Sequence, residues 1–205
     1  MKILALSGKM GVGKSYIAEK LEARGWHRQS FGKYLKDDLA RAGFSDEMVY
    51  GKSLTARTLR QSFGAARRQD EGNYYARQVA KWLEVYALVQ DSKDNESVRV
   101  VVEDVRYPNE LEAIRKFAEE HSGVVLRTVR IERPGMVRLP DRHHLHESET
   151  ALDHIRDWDV VVKFPEQSVA SLSEFAASVD TYEWWSNERN GSSGSAGDAD
   201  EERVG

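Results

Sequence analysis

The chain has no cysteine among its 205 residues. Disulfide frameworks and thiolate metal sites are therefore excluded, as suits a reducing, cytoplasmic setting. It has no apolar run near the roughly 20 residues that a membrane helix requires, so no membrane partner is expected. The apolar start is brief and runs into glycines instead of a cleavage site, so it reads as a first core strand and not as a signal peptide. There is no excess of positive charge: 30 Lys and Arg against 34 Asp and Glu leave a net charge of -4. That balance argues against a general nucleic-acid coat, although arginines that converge locally still suit an anionic substrate. Internal repeats are absent. What is present, 40% hydrophobic and 31% charged residues, is the composition of one soluble α/β domain.

Along the chain, Ile3 to Leu6 form a continuous apolar run, as expected of a parallel strand buried on both faces. A glycine-rich turn follows, then helical spacing over 15–24 that Gly25 ends. A short strand is expected at 27–31, and helices with breaks near 43–52 and at Gly72 fill 34–89. Val98 to Val102 read as a strand ending in Glu103-Asp104, Pro108 as the start of a helix, and 124–131 and 159–162 as further strands. The stretch 133–147, rich in Arg, His and Pro, reads as a mobile loop, and 169–185 as one last helix. After Asn187 the chain turns Gly/Ser-rich and acidic, the composition of a disordered tail. Strands alternating with helices indicate a parallel α/β sheet. The domain is expected over 1–186, with a helical insert at about 32–92, a lid at about 133–147 and the tail at 187–205.

Gly8-Lys9-Met10-Gly11-Val12-Gly13-Lys14-Ser15 satisfies G-x-x-x-x-G-K-[ST] between a predicted strand and a predicted helix. Glycines at Gly8, Gly11 and Gly13 let the backbone, with Val12, curl so that N–H groups face phosphate oxygens, and the following helix adds its positive end. Lys14 is expected at the β- and γ-phosphates of ATP and the Ser15 hydroxyl on Mg²⁺. The run Val100 to Val102 would deliver a second carboxylate to the same sheet edge. Asp104 is the expected magnesium-shell residue ahead of Glu103, and Arg106, two residues on, faces the same crevice.

Asp104-Val105-Arg106-Tyr107-Pro108-Asn109-Glu110 resembles the Asp-Val-Arg-x-x-Asn-Glu signature of the deoxynucleoside monophosphate kinases of tailed bacteriophages. His146-Glu147-Ser148-Glu149 is similar to that family's His-x-Ser-Glu segment after the lid, and Gln61-x-x-Gly64 with Arg67 and Arg68 also resembles it. The resemblance implies a P-loop, adenylate-kinase-like three-layer fold with a nucleoside-monophosphate-binding insert and a lid. It implies transfer of a phosphoryl group from ATP to a dNMP, in the host cytoplasm if the chain is phage-encoded. Lys163 to Glu166 depart from the pattern, lacking the expected Asn and Gly.

If the acceptor is a monophosphate, its attacking oxygen is already ionised, and catalysis reduces to bringing two polyanions into line. Arginines suit that task. Arg60, Arg67 and Arg68 in the insert, Arg106 at the strand end, and Arg133, Arg138 and Arg142 around the lid are the candidates. Arg68 and Arg106 are expected at the acceptor phosphate, and Arg142 with Arg138 from the lid. Arg67 and Arg68, adjacent on a helix, point about 100° apart and so do not serve one phosphate together. Lys36 faces either the acceptor or solvent, and Gln61 is a candidate reader of a base edge. Tyr74, Tyr75 and Trp82 either wall the acceptor base or belong to the core. Ser148 and Glu149 read as caps of the next helix and His146 as a lid hinge, in preference to a metal site with His143 and His144. A P-loop kinase of another small metabolite, of the coenzyme-precursor or phosphomevalonate type, and a nucleotide-dependent switch are the rival readings. No guanine-reading Asn-Lys-x-Asp is present. The chain is expected to act as a monomer or homodimer.

Overall fold

A computed structural model of the chain describes residues 1–91, 97–134, 146–164 and 168–186. Its sheet is built around β1 (Lys2–Gly8), whose side chains alternate between two buried faces: Ile3 and Ala5 on one, Leu4 and Leu6 on the other. A strand apolar on both faces is stable only inside a covered sheet. Accordingly β3 (Arg99–Val105) and β4 (Val125–Glu132) flank it, with β2 (His27–Ser30) and β5 (Val160–Lys163) at the edges. The five strands run parallel in the order β2-β3-β1-β4-β5.

Helices cover both faces. Leu4 and Leu6 pack against α1 (Lys14–Glu22), α8 (Val169–Val179) and α9 (Tyr182–Ser186) through Ile17, Leu21, Leu172, Val179 and Trp185. Ile3 and Ala5 pack against α5 (Tyr74–Asp91) and α6 (Pro108–Glu120) through Val79, Leu83, Leu111 and Ile114. Each such buried aliphatic side chain is worth about 1.5–3 kcal/mol relative to exposure. Between β2 and β3 the chain forms α2 (Phe31–Arg41), α3 (Asp46–Tyr50), α4 (Leu54–Asp70) and α5, a helical group that begins with Ser30 accepting from the Lys33 N–H. The remaining helix, α7 (Glu147–Thr150), is one turn long.

Two elements differ from the sequence reading. β3 does not stop at Asp104 but continues to Val105 through a bulge: Ala5 pairs with Val102, while Ser7 pairs with Val105. The expected single helix over 169–185 is two, because Asp180 is drawn out at the end of α8 by Trp26 Nε1 (2.9 Å) and Arg99 Nη1 (2.7 Å). The chain then folds back, with Trp185 against Trp26 and its Nε1 on the Val179 carbonyl. Residues 135–145 of the expected lid, with Arg138, Arg142, His143 and His144, and the tail at 187–205 lie outside the described residues.

Candidate functional site

The loop between β1 and α1 closes tightly because two of its glycines have no room for a side chain. Gly8 has φ +140°, and a Cβ there would sit 2.5 Å from the Ile131 carbonyl oxygen. Gly13 has φ +109°, and a Cβ would meet Leu172 at 2.7 Å. With Gly11 at φ +82° the loop curls back on itself. No side chain caps α1 at Gly13 and no acid lies in its first turn, so the leading N–H groups and the positive helix end are open to an anion. Lys14 arches over the loop and donates from Nζ to the carbonyls of Gly8 (2.6 Å) and Lys9 (3.0 Å). Burial, then the Arg106 charge, lowers its pKa to about 8 against the pull of Asp104 and Glu149. The lysine is thus poised to gain from an incoming polyanion.

The carboxylates come from the bulge in β3. Asp104 is held at φ +71°, a left-handed conformation that costs an L residue about 1–3 kcal/mol and clusters at functional sites. The bulge brings both Glu103 and Asp104 to the cleft. Burial pushes the Asp104 carboxyl up, but Arg106 and Lys14 together outweigh it and hold the carboxyl at about 2. Its Oδ1 lies 2.7 Å from Arg106 Nε and 3.5 Å from Lys14 Nζ. Glu103 takes Arg28 on one oxygen, at 2.6 Å from Nη2, while its Oε2 is buried without a hydrogen-bond partner. Among the described residues no group of three or more His, Cys, Asp or Glu could hold a metal ion. Mg²⁺ asks for less, one or two protein oxygens beside substrate phosphates, and the Ser15 hydroxyl with Asp104 and the unpartnered Glu103 oxygen fits that demand.

Arg106 is fastened at four points. Its N–H donates to Glu110 Oε2 (2.8 Å), its Nε to Asp104, and its Nη1 to the Ser148 carbonyl (3.2 Å) and to Glu149 Oε1. Burial alone would depress it, but Asp104 and Glu149 raise its pKa further above the ordinary arginine range. Glu110 also accepts from the Tyr107 N–H (3.2 Å) and from Arg68 Nη2 (3.3 Å). Burial drives the Glu110 carboxyl up to about 7, and Arg68 only partly opposes this. Asn109, its neighbour, donates to Gly72 O (2.9 Å) and so ties the α4–α5 turn to the start of α6.

These groups line a cleft of about 570 Å³, within the usual range for small-molecule sites. Met10, Gly11, Gly13, Lys14 and Ser15 of the phosphate loop line it, and so do Lys36, Arg57, Gln61 and Arg68 from the helical group. Arg68 is stacked on Tyr107 (4.0 Å) and Tyr75 (5.1 Å). Gly64, one turn earlier, leaves it room: a Cβ there would lie 3.0 Å from Arg68 Nη1.

Three of the candidate residues hold other partners in this geometry. Arg67 points away, its guanidinium over Tyr74 (4.1 Å) outside the cleft, as the turn between adjacent helical residues requires. Tyr75 is core: only 2% exposed, with an unpartnered hydroxyl whose pKa burial raises to about 12, it reaches the site only as a support for Arg68. Arg60 lines the cleft but its guanidinium holds the end of α3, donating to Val49 O (2.8 Å) and Gly51 O (2.9 Å). Tyr74 and Trp82 likewise pack against the core beside Tyr75.

Glu149 is the residue whose place the sequence reading missed. His146 caps α7, its Nδ1 accepting from the Ser148 N–H (3.2 Å). Glu149 instead turns into the site, where Oε2 accepts from the Met10 N–H of the phosphate loop at 2.6 Å and Oε1 takes Arg106. A carboxylate in the first turn of a helix reads as a cap, and nothing local separates the two roles. A second hollow, of about 510 Å³, is lined by Lys9, Val12, Ile131, Arg133 and Trp158. Arg133 Nε is buried there without a partner.

No protein-family model matches the chain, and no curated protein matches it. Solved structures similar to it include an unliganded sugar kinase from Janibacter sp. HTCC2649, at TM-score 0.49 and 14% identity, covering 86% of this chain and 92% of that one. A provisionally assigned kinase from Chloroflexus aurantiacus J-10-fl is similar at TM-score 0.49 and 10% identity, covering 87% and 93%. Likeness of that degree concerns the chain trace, and the chemistry rests on the residues of the cleft.

Proposed function

We propose that the protein is an ATP-dependent kinase whose acceptor is a deoxynucleoside 5'-monophosphate. One observation carries the reading: a single cleft joins an open phosphate loop to Arg68, with the immobilised guanidinium of Arg106 lining it as well. ATP would lay its β- and γ-phosphates on the loop N–H groups and Lys14, with its base toward the hollow that holds Arg133. Bound with the ATP, Mg²⁺ would be held by Ser15 and the β3 carboxylates and would neutralise charge on the β- and γ-oxygens. The acceptor phosphate would face Arg68 and Arg106, with Lys36 and Gln61 beside the nucleoside. An acceptor oxygen attacks the γ-phosphorus, the bond to the β–γ bridging oxygen breaks, and ADP leaves.

The rival in which Asp104 is a general base for a hydroxyl acceptor fits less well. A carboxyl held at about 2 by two cations is a poor proton acceptor at neutral pH. An acceptor already ionised needs none. The deciding experiment is coupled ADP release across the four dNMPs and the four matching NMPs. Turnover of at least one dNMP is expected; no turnover of any, beside turnover of another metabolite, transfers the reading to a different small-molecule kinase.

A further inference from the structure

The kinase reading gives roles to Arg106 and Asp104 but none to Glu149, which also holds the arginine. Glu149 bridges two parts of the site that are far apart in sequence. Through Oε2 it receives the Met10 N–H at 2.6 Å, and through Oε1 it pairs with Arg106. It is only 7% exposed, so both contacts are made away from bulk water. The Ser148 carbonyl, one residue earlier on α7, takes the same Arg106 nitrogen at 3.2 Å. The one-turn helix therefore grips the guanidinium twice. Asp104 holds Nε and Glu110 the backbone N–H, so that among the described residues Nη2 is the arginine nitrogen carrying no protein hydrogen bond. Lys14 closes the circuit, lying 3.5 Å from Asp104 and donating back to the loop carbonyls.

We propose, resting on the phosphotransfer reading, that Glu149 is a positioning residue: it locks Arg106 to the phosphate loop so that donor and acceptor sites keep one geometry. The physical reason is entropic and electrostatic. A free arginine side chain samples many rotamers, and ordering it costs entropy. Fixing it during folding removes that loss from each turnover, and a charge already aimed stabilises the transition state without reorganising. The carboxylates that aim Arg106 also offset its charge in the resting site. Glu149 should therefore act on the rate of transfer more than on substrate affinity.

The test uses the full chain and two readouts. In steady-state kinetics with the accepted monophosphate, Glu149→Gln should lower kcat by up to about 100-fold, the scale of a small misplacement of a reacting group, with both KM values within about threefold. In the Arg106→Ala background the same change should cost less than about twofold, because the residue it positions is gone. A kcat within twofold of wild type, or full multiplication of the two effects, overturns the proposal. The ligand-free readout is NMR of the Met10 amide and the Arg106 Nε–H. Glu149→Gln should shift the first and speed exchange of the second by about tenfold; two unchanged signals overturn the lock whatever the substrate. If the wild-type chain phosphorylates no monophosphate, yet Glu149→Gln produces both NMR changes, the acceptor reading falls and the lock stands.

Discussion

Arg106 and Arg68 line the same cleft and are held in different ways. Arg106 rises from the sheet edge and is gripped by Asp104, Glu110, Glu149 and Ser148. Arg68 comes from the helical group and leans on the faces of Tyr75 and Tyr107, with a single longer contact to Glu110. The first arrangement fixes a direction, the second only a neighbourhood. Positioning of that kind belongs where bonds change, and looser attachment where a substrate must enter and leave.

The comparison breaks most severely at Lys14. Lys14→Ala should lower turnover by about a thousandfold or more while circular dichroism stays near wild type, since the left-handed glycines set the turn that the lysine only bridges. Next comes Arg106→Ala, expected to reduce kcat by about 10²–10³. Arg68→Ala should act on the acceptor KM instead, by about tenfold or more, the worth of one charged hydrogen bond, with kcat less affected. If Arg68→Ala lowers kcat and leaves KM alone, the contrast between the two arginines is wrong. Arg67→Ala, one residue away and outside the cleft, should stay within about twofold on every parameter.

The smallest effect concerns Glu110 and pH. Its folded pKa, about 7, lies above the ordinary 4.5, so between those values the folded chain keeps a proton that the unfolded chain has released. The stability this contributes is present below about 4.5 and is lost as pH rises through about 7. Glu110→Gln, neutral throughout, should flatten the dependence of the urea midpoint on pH in that window. An identical slope in both proteins would show that Glu110 is not the titrating group.

The signals that could be read without coordinates were those written in neighbouring residues. Gly8, Gly11 and Gly13 announced a turn needing left-handed backbone, and Ile3 to Leu6 a strand buried on both faces. Pro108 marked the start of α6, and Gly25 the end of α1. Gly64 entered the sequence reading only through the resemblance, and the structure adds that a Cβ there would crowd Arg68. The bulge at Glu103-Asp104 was not legible, because strand register depends on the partner strand as much as on the strand itself.

That Glu149 joins Arg106 to the phosphate loop was decided only by the tertiary structure. Met10 and Glu149 are 139 residues apart, and Arg106 and Glu149 are 43 apart. Local sequence gives a carboxylate shortly after a histidine the look of a helix cap. The sheet order brings the ends of β1 and β3 and the start of α7 together, and helix geometry turns Arg68 inward and Arg67 out. Local backbone preferences thus wrote the phosphate loop into the chain, while long-range packing, which no short stretch encodes, chose the side chains that face it.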